Sequence, residues 1–340
     1  MHIVITGGAG FLGVRLAREL LQRQELSLAG DSPRAIQSIT LIDRVAPPAD
    51  LAADSRIRSF TGDLNALFAS ANAGAQQLVK TEHAIVFHLA AAVSGECEAD
   101  FDLGMRSNID ATRALLEACR ALGTRPFLVF ASSLAVFGNS FEQPLPDVID
   151  DRTLPTPQSS YGIQKFIGEQ LVADYARKGF IRGRNVRLMT VSIRPGKPNG
   201  AASSFLSGMI REPLAGIRAA CPVPPDTAVA LSSPGKTVEG LIKAAQASDE
   251  QWGARTAINL PALTTTVRDM ALALKTIGGQ AAANLIDWTP DPAISSIVTS
   301  WPSKIDAARA KALGLLPDTS FETIVAAYLA EKSGESGSIN

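Results

Sequence analysis

The chain has 340 residues, 46% of them hydrophobic and 19% charged, which is the composition of a globular protein large enough for one big domain or two. Its net charge of −1 argues against a nucleic-acid or anionic-membrane partner, since either would favour a basic excess. The start, MHIVITGGAG, lacks the cationic segment of a secretory signal, and the longest clearly apolar run, 84–93, is too short to span a bilayer.

Strand-like and helix-like segments alternate through the first half of the chain. His2–Thr6, with Ile-Val-Ile at its centre, has the sequence of a buried strand, and residues 11–24 carry apolar residues at helical spacing. This alternation predicts an α/β protein with a Rossmann-type doubly wound parallel sheet, covered on both faces. The series continues with predicted strands at 38–42, 56–61, 84–89, 126–131 and 186–193, and with predicted helices at 102–122 and 159–178.

The alternation of strands and helices stops after Arg194, where frequent prolines divide the chain into short segments. We expect 195–228 to lie outside the main domain and 231–247 to return to it. Residues 258–260 form a plausible last strand, and 264–277 have helical periodicity. The final third predicts a smaller lobe that ends in a helix over 321–332.

A glycine-rich stretch, VITGGAGFLG, joins the first predicted strand to the first predicted helix. Glycine permits a tight turn with positive φ, a close approach of the backbone to a pyrophosphate, and tight packing of the helix on the strand. A flexible turn is the plain alternative, but the position between strand and helix favours a dinucleotide site. The predicted contacts are Gly7, Gly10, Phe11, Leu12 and Gly13.

A carboxylate at the end of the second strand is expected to hold the adenosine ribose, and SITLIDR supplies Asp43. The insertion LAGDSPRAIQS explains its late position. An acid here repels a 2′-phosphate, so NAD is favoured over NADP, although the neighbouring Arg44 leaves NADP open. Asp63 and Leu64, in TGDLN, are weaker candidates for the adenine side, because an acid after a strand is often a turn residue.

Three further segments reach the same edge of the predicted sheet, where ligands of open parallel sheets bind. HLAAA ends the fourth strand with the small side chains Ala90, Ala91 and Ala92, and SSLAVFG follows the fifth. YGIQK then places Tyr161 and Lys165 one helical turn apart on one helix face.

As a set and in this order, these motifs resemble the extended short-chain dehydrogenase/reductases, the group of sugar-nucleotide epimerases and dehydratases, over roughly residues 1–260. The resemblance implies that Tyr161 is the catalytic acid/base, Lys165 its activator and a nicotinamide-ribose ligand, and Ser133 the hydroxyl that orients the substrate. It further implies a cofactor-side role for Asn108, in NIDAT. The domains are then 1–194 with 229–262 for NAD, 195–228 with 263–333 as a substrate-binding lobe, and 334–340 as a frayed tail.

Elementary electrostatics supports these roles. Bringing the pKa of a tyrosine from about 10 to ~7 requires roughly 4 kcal/mol. One ammonium at about 4 Å contributes on the order of 4 kcal/mol at an effective dielectric near 20. A single lysine therefore suffices in principle for a phenolate that takes a proton from an alcohol while NAD⁺ takes the hydride.

The substrate region departs from the usual sugar-nucleotide pattern, with Phe137 in place of a tyrosine and with RPGKPNGAASSF after the next strand. Its local sequences resemble a subgroup of NAD-dependent dehydrogenases that oxidise the 2-hydroxyl of a four-carbon sugar acid to a 2-keto acid. The predicted substrate pocket consists of Ser94, Ser133, Tyr161, Lys197, Asn199 and Arg211, where solvated surface charges are the alternative for Lys197 and Arg211 and a turn hydroxyl for Ser94.

Two other functions stay open at this point. A sugar-nucleotide epimerase or dehydratase would keep its NAD bound and recycle it. A regulatory protein that senses the cofactor without turnover is disfavoured, because Ser133, Tyr161 and Lys165 are all present.

Partners and location complete the expectations. Cys97, Cys119 and Cys221 are widely spaced and favour reduced thiols and a cytoplasmic protein. With only three histidines in the chain, we expect no catalytic metal. Helices 102–122 and 159–178 carry more apolar residues than one buried face needs, and in the resembled family two such helices per subunit form a dimer interface. We therefore expect a homodimer.

Overall fold

A computed structural model describes residues 1–69, 84–196 and 200–336. The chain forms a large parallel sheet flanked by helices, with smaller sheets beside it. The strands are β1 His2–Thr6, β2 Glu25–Leu26, β3 Arg34–Ala35, β4 Ser38–Asp43, β5 Ile57–Thr61, β6 Ala84–His88, β7 Phe127–Ser133, β8 Arg182–Leu188, β9 Thr190–Val191, β10 Ala219–Cys221, β11 Ala228–Ser232, β12 Ile258–Asn259, β13 Leu263–Thr266 and β14 Ile286–Trp288.

Helices precede or follow most of these strands. They are α1 Phe11–Arg23, α2 Ala49–Ala53, α3 Leu64–Ala69, α4 Ser94–Ala99, α5 Phe101–Gly104, α6 Ala111–Ala121, α7 Ser160–Arg177, α8 Phe205–Leu214, α9 Pro234–Gln246, α10 Asp249–Trp252, α11 Val267–Ala283, α12 Pro292–Thr299, α13 Ala308–Ala312 and α14 Phe321–Ser336. None of the helices in the described ranges is long and apolar enough to cross a membrane.

The large sheet has seven strands in the order β12-β8-β7-β6-β1-β4-β5, all parallel. Alternate residues of β1 enter different cores: Ile3 and Ile5 pack on one face of the sheet, and Val4 packs on the other. This confirms the predicted doubly wound α/β fold. The strand order reverses between β1 and β6, which is where open α/β sheets bind their ligands.

The second half of the chain builds its own apolar core. The strands β9, β11 and β13 form a three-stranded sheet, and β10 pairs with β14. Residues from α8, α11 and α14 pack together there, among them Leu206, Met209, Met270 and Ile324. This core is the structural basis of the C-terminal lobe.

Several element boundaries differ from the prediction. The strand predicted at 186–193 is two strands, because β8 belongs to the large sheet and β9 to the small one. Likewise β11 joins the small sheet, so the chain returns to the large sheet with α9, which packs against β7 and β8. Residues 264–266 are strand and not helix.

Other differences lie in the helices. The predicted helix 102–122 is interrupted by a π-helical turn at Met105–Asp110. The predicted frayed tail 334–340 begins inside α14, and residues 337–340 lie outside the described ranges.

Candidate active site

A cavity of about 400 Å³ opens at the carboxyl edge of the large sheet, beside the point where the strand order reverses. Its size lies within the range of small-molecule and cofactor sites. It extends from Asp43 at the end of β4 to Tyr161 on α7. The sheet topology thus brings the glycine loop and the Tyr–Lys pair to one site.

Most of the predicted site residues line this cavity. On the cofactor side they are Gly7, Gly10, Phe11, Leu12, Gly13, Asp43, Asp63, Leu64, Ala90, Ala91 and Ala92, and on the reactive side Ser94, Ser133, Tyr161 and Lys165. Asn108 and Arg211 do not line it. Lys197 and Asn199 lie outside the described residues.

The glycine loop is packed so tightly that two of its glycines leave no room for a side chain. Gly7 has a φ of +70°, and a Cβ there would lie 2.8 Å from the backbone nitrogen of Ala90. A Cβ on Gly13 would lie 2.1 Å from the carbonyl oxygen of Gly7. Gly10 caps α1 without a side-chain hydrogen bond, so the helix begins with N–H groups directed at the cavity's edge. This geometry suits a bound pyrophosphate.

Asp43 is oriented by backbone N–H groups from both sides. Ala9 donates to Oδ2 at 3.0 Å and Arg44 donates to Oδ1 at 2.7 Å. The carboxylate is thereby held against the glycine loop at the cavity wall. Arg44 lines the same wall, so the predicted preference for NAD over NADP rests on the placement of Asp43. Asp63 receives the N–H of Asn65 at 2.9 Å, as expected of a residue that starts a helix.

Asn108 acts on the cavity from behind its wall. It sits in the π-helical turn and is buried, with Oδ1 accepting the N–H of Ala92 at 2.8 Å and Nδ2 donating to the carbonyl of Ala92 at 3.2 Å. Nδ2 also donates to Gln164 Oε1 on α7 at 2.8 Å. The geometry therefore supports a bracing role, in which Asn108 ties the Ala90–Ala92 segment to α7, over the predicted direct cofactor contact.

A buried histidine that the sequence analysis did not select supports the same segment. His88 Nδ1 lies 2.6 Å from Thr6 Oγ1, and Nε2 lies 2.9 Å from Thr112 Oγ1. Because Thr112 Oγ1 donates to the carbonyl of Asn108, it accepts from Nε2, and Nδ1 accepts from Thr6. Burial lowers the pKa of His88 to about 3, so the ring is neutral and this single tautomer persists.

Tyr161 and Ser133 meet at the reactive end of the cavity. Ser133 ends β7, and its Oγ accepts the N–H of Ala135 at 3.1 Å, which fixes the side chain. Burial raises the pKa of Tyr161 to about 12, while a hydrogen bond with Ser133 and the charge of Arg194 lower it. The phenol and the hydroxyl thus lie together where a substrate oxygen would bind.

Burial of the phenol adds to the stabilisation that the base form of Tyr161 needs. Lowering its pKa from about 12 to ~7 needs about 7 kcal/mol of preferential stabilisation of the phenolate. A single cation at about 4 Å gives on the order of 4 kcal/mol. Lys165 Nζ is 5.7 Å from the centroid of the Tyr161 ring. Lys165 is therefore one of the groups that would stabilise the phenolate, and the effect of the Arg194 charge is already contained in the raised pKa of Tyr161.

Lys165 is buried beside the phenol. Its Nζ donates to the carbonyl of Ala131 at 2.8 Å and lies 4.9 Å from the centroid of the Phe130 ring. Burial lowers its pKa from 10.5 to about 8, and the carboxylate of Glu169 opposes that shift. The ammonium consequently holds its charge at neutral pH and loses it as the pH rises through about 8.

Arg194 is the cation on the cavity wall that the sequence analysis did not choose. Its Nε donates to the carbonyl of Val191 at 3.0 Å, its Nη2 donates to Ser203 Oγ at 2.8 Å, and its charge lowers the pKa of Tyr161. The guanidinium carbon lies 6.0 Å from the centroid of the Phe11 ring. Its position in the sequence, directly after the strand predicted at 186–193, was the signal that could have identified it.

Arg211, which was predicted to contact the substrate, lies one layer behind the wall. Nη1 donates to the carbonyl of Arg194 at 2.7 Å, and Nη2 pairs with Glu212. Arg211 therefore holds the backbone of Arg194 in place, and its position argues against a direct contact with the substrate. Ser94 does line the cavity, and its Oγ accepts the N–H of Ala202 at 3.0 Å.

The arrangement fits an NAD molecule. The glycine loop would hold the pyrophosphate, Asp43 the adenosine ribose, the small side chains Ala90–Ala92 the face of the dinucleotide, and Lys165 the nicotinamide ribose. Among residues 1–69, 84–196 and 200–336, no group of three or more His, Cys, Asp or Glu side chains could hold a metal ion.

Comparisons with known proteins identify the family of the chain. The sequence description of the NAD dependent epimerase/dehydratase family matches residues 3–226. The chain is 50% identical over 329 residues to a D-erythronate dehydrogenase from Cupriavidus necator, covering 97% of this chain and 98% of that protein. It is 42% identical to a D-erythronate dehydrogenase from Haemophilus influenzae, covering 97% and 99% respectively.

A solved structure is similar over nearly the whole chain. The nucleoside-diphosphate-sugar epimerase from Agrobacterium tumefaciens superposes with a TM-score of 0.86 at 40% identity, covering 98% of this chain and 95% of that one. An L-threonine 3-dehydrogenase from Trypanosoma brucei, at 23% identity and a TM-score of 0.80, covers 95% and 94% and shares the fold.

Proposed function

The chain belongs to the NAD dependent epimerase/dehydratase family, and from this premise we propose that it is an NAD-dependent dehydrogenase that oxidises the 2-hydroxyl of a small sugar acid. The substrate we propose is D-erythronate and the product 2-dehydro-D-erythronate. The similarity to two D-erythronate dehydrogenases over 97% of the chain supports this choice.

One observation favours a hydroxy acid over a neutral sugar. Arg194 and Tyr161 share the cavity wall and are close enough for each charge to shift the pKa of the other group. A 2-hydroxy acid carries its carboxylate on the carbon next to the reacting hydroxyl. A guanidinium beside the acid/base can therefore pair with the carboxylate while the hydroxyl meets the phenol.

In the proposed reaction, Ser133 hydrogen-bonds the oxygen on C2 and Tyr161 accepts its proton. The charge of Arg194 lowers the pKa of Tyr161, and the ammonium of Lys165, 5.7 Å from the centroid of the phenol ring, would add to the stabilisation of the phenolate. Bound NAD⁺ would supply the acceptor for the hydride that leaves C2 and a positive ring near the phenolate. The 2-hydroxyl thereby becomes a ketone, with the proton on Tyr161 and the electron pair on the cofactor.

The finer sequence-based assignments belong to the same proposal. They are a cytoplasmic enzyme, the division into an NAD-binding domain of 1–194 with 229–262 and a substrate-binding lobe of 195–228 with 263–333, and a homodimer. The half-exposed apolar side chains Ile163 and Ile167 on α7 support the homodimer. Substrate contacts by Lys197 and Asn199 are also proposed.

The second candidate is a nucleotide-sugar epimerase that keeps its NAD bound, because the similar structure from Agrobacterium tumefaciens bears that description. A substrate screen separates the two. The purified protein would be incubated with NAD⁺ and four-carbon and five-carbon sugar acids, or with nucleotide sugars, while NADH absorbance is followed. We expect stoichiometric NADH with D-erythronate. Interconversion of nucleotide sugars with no net NADH from any acid would favour the epimerase.

A further inference from the structure

A residue from far along the chain, Trp301, contributes to the wall of the cavity. It lines the cavity together with Ser133, Leu134 and Tyr161, although it lies 140 positions after Tyr161. Trp301 follows α12 and packs against both the core of the large sheet and the core of the C-terminal lobe. The indole therefore reaches the site from outside the Rossmann half.

The segment that carries Trp301 is fixed on both sides. The carbonyl of Ser300 accepts the N–H of Asn139 at 2.7 Å, and the carbonyl of Ser303 accepts Thr264 Oγ1 at 2.7 Å. Farther along, Ile149 donates to the carbonyl of Lys304 at 3.0 Å. A side chain on a segment held at these points has little freedom to move away from the cavity.

A second space lies behind the indole. Leu134, Thr190 and Trp301 line both the main cavity and a separate void of about 10 Å³. The other walls of the void are apolar side chains and backbone, including Leu206, Val229 and Val298. A void of this size is at the lower limit for one water molecule. The indole thus separates the reactive end of the cavity from apolar space in the C-terminal lobe.

We infer that Trp301 determines the length of the sugar acid that the enzyme accepts. The inference rests on the proposed function. Arg194 would fix the carboxylate and Tyr161 the 2-hydroxyl, so the rest of the substrate carbon chain would occupy the remaining space of the cavity, whose wall includes Trp301. An indole that is rigid and held by both cores sets a limit to that extension. Replacing it with a small side chain joins the two spaces and gives a longer chain room.

The test compares kcat/KM for four-, five- and six-carbon sugar acids in the wild type and in Trp301→Ala. One extra methylene in a pocket changes selectivity about 10–200-fold. We expect the variant to raise the ratio of five-carbon to four-carbon kcat/KM by at least ~10-fold, with NADH affinity unchanged. Trp301→Phe, which removes less volume, should shift the ratio by a smaller factor, and it preserves the test if the alanine variant does not fold.

Trp288→Ala is the matched control. Trp288 is 42% exposed on β14 and does not line the cavity, so its removal should leave the ratio as in the wild type. A folded Trp301 variant with an unchanged ratio, or an equal shift in the control, would overturn the inference. If the wild type oxidises no four-carbon acid, the proposed function itself fails and the inference falls with it. A wild type active on D-erythronate with an unresponsive Trp301 variant refutes the inference alone.

Discussion

At the scale of single residues, the site pairs one acid/base with several cations, and Arg194 is the one whose role is most directly measurable. We expect Arg194→Gln to raise KM for D-erythronate by about 10-fold or more, since a charge-assisted contact contributes about 1.5–3 kcal/mol. Because the charge of Arg194 lowers the pKa of Tyr161, and Tyr161 must be deprotonated to act as the base, loss of that charge should also move the rising limb of the pH profile of kcat to higher pH. An unchanged KM would contradict the binding of the substrate carboxylate by Arg194, and an unchanged pH profile would contradict its effect on the pKa of Tyr161.

Removing the charge of Lys165 should stabilise the fold although it abolishes activity. Its pKa is about 8 in the fold against 10.5 ordinarily, so the native state carries the cost of a buried charge below about pH 8 and sheds it as the pH rises toward 10.5. That cost is about 3 kcal/mol. A substitution that removes the ammonium also removes its hydrogen bond to Ala131, which reduces the gain in unfolding free energy by about 1 kcal/mol.

Lys165→Met should therefore unfold with a free energy about 1–2 kcal/mol higher than the wild type at pH 7 without cofactor. The gain should shrink as the pH is raised above 8, and activity should be lost. Denaturant titrations at several pH values measure this. A variant less stable than the wild type at pH 7 would show that the ammonium contributes net stability.

The residue types of the site were predictable, but their electrostatics were not. Local motifs, in their order along the chain, predict which residues lie at one edge of the sheet. They are the glycine loop, Asp43, Ser133, Tyr161 and Lys165. The burial that raises the pKa of Tyr161, and the choice of Arg194 over Arg211 as the cation on the wall, depend on side-chain depth, which periodicity does not encode.

At the scale of elements, a buried ion pair fixes the helix that carries the Tyr–Lys pair. Glu169 lies one turn after Lys165 on α7, and both of its carboxylate oxygens accept from Arg187 on β8 at 2.8 Å. Ser132 on β7 donates to the same carboxylate at 2.6 Å. Glu169 and Arg187 expose only 2% and 6% of their side chains, so the pair is shielded from solvent. It sets the distance between α7 and the two strands.

Glu169→Gln keeps the shape of this contact and removes its charge. The variant should lose on the order of 3–5 kcal/mol of unfolding free energy, because Arg187 is left as a buried, uncompensated cation. Glu19→Gln, which breaks an exposed pair with Arg23 on α1, should cost less than about 1 kcal/mol. Equal effects of the two substitutions on chemical denaturation would show that the buried pair is not a determinant of α7.

The order of strands and helices along the chain was easier to predict than the sheet to which each strand belongs. Apolar runs in β1, β4, β6 and β7 identify strands of a parallel sheet without further information. The assignment of β9 and β11 to a second sheet depends on long-range pairing, which has no local signal. The π-helical turn is likewise set by contacts that Asn108 makes with Ala92 and α7.

At the scale of the whole molecule, α7 presents apolar side chains to solvent on the face opposite its buried ion pair. Ile163 is 47% and Ile167 38% exposed, four residues apart on one helix face. We expect Ile163→Glu with Ile167→Glu to convert a dimer to a monomer in sedimentation at micromolar concentration. Leu272→Glu, at an equally exposed position on α11, should leave the dimer intact. A wild-type monomer would refute the proposed assembly.

The C-terminal lobe is where prediction from the sequence was least complete. Its core draws on segments as far apart as Ile193 and Val325, and its contribution to the cavity, Trp301, was not selected as a site residue from the sequence. Only the folded chain shows that the indole lines the same cavity as Tyr161. The Rossmann half, in contrast, is built from neighbouring strands and helices and was largely predictable.

The account depends on Tyr161 taking a proton from the 2-hydroxyl of a sugar acid as NAD⁺ is reduced. The most direct measurement is NADH formation from D-erythronate by the wild type and by Tyr161→Phe, with NADH binding measured in parallel. We expect stoichiometric NADH from the wild type, and a rate lower by at least ~100-fold in the variant with cofactor binding unchanged. A Tyr161→Phe variant that oxidises D-erythronate at the wild-type rate would contradict the account.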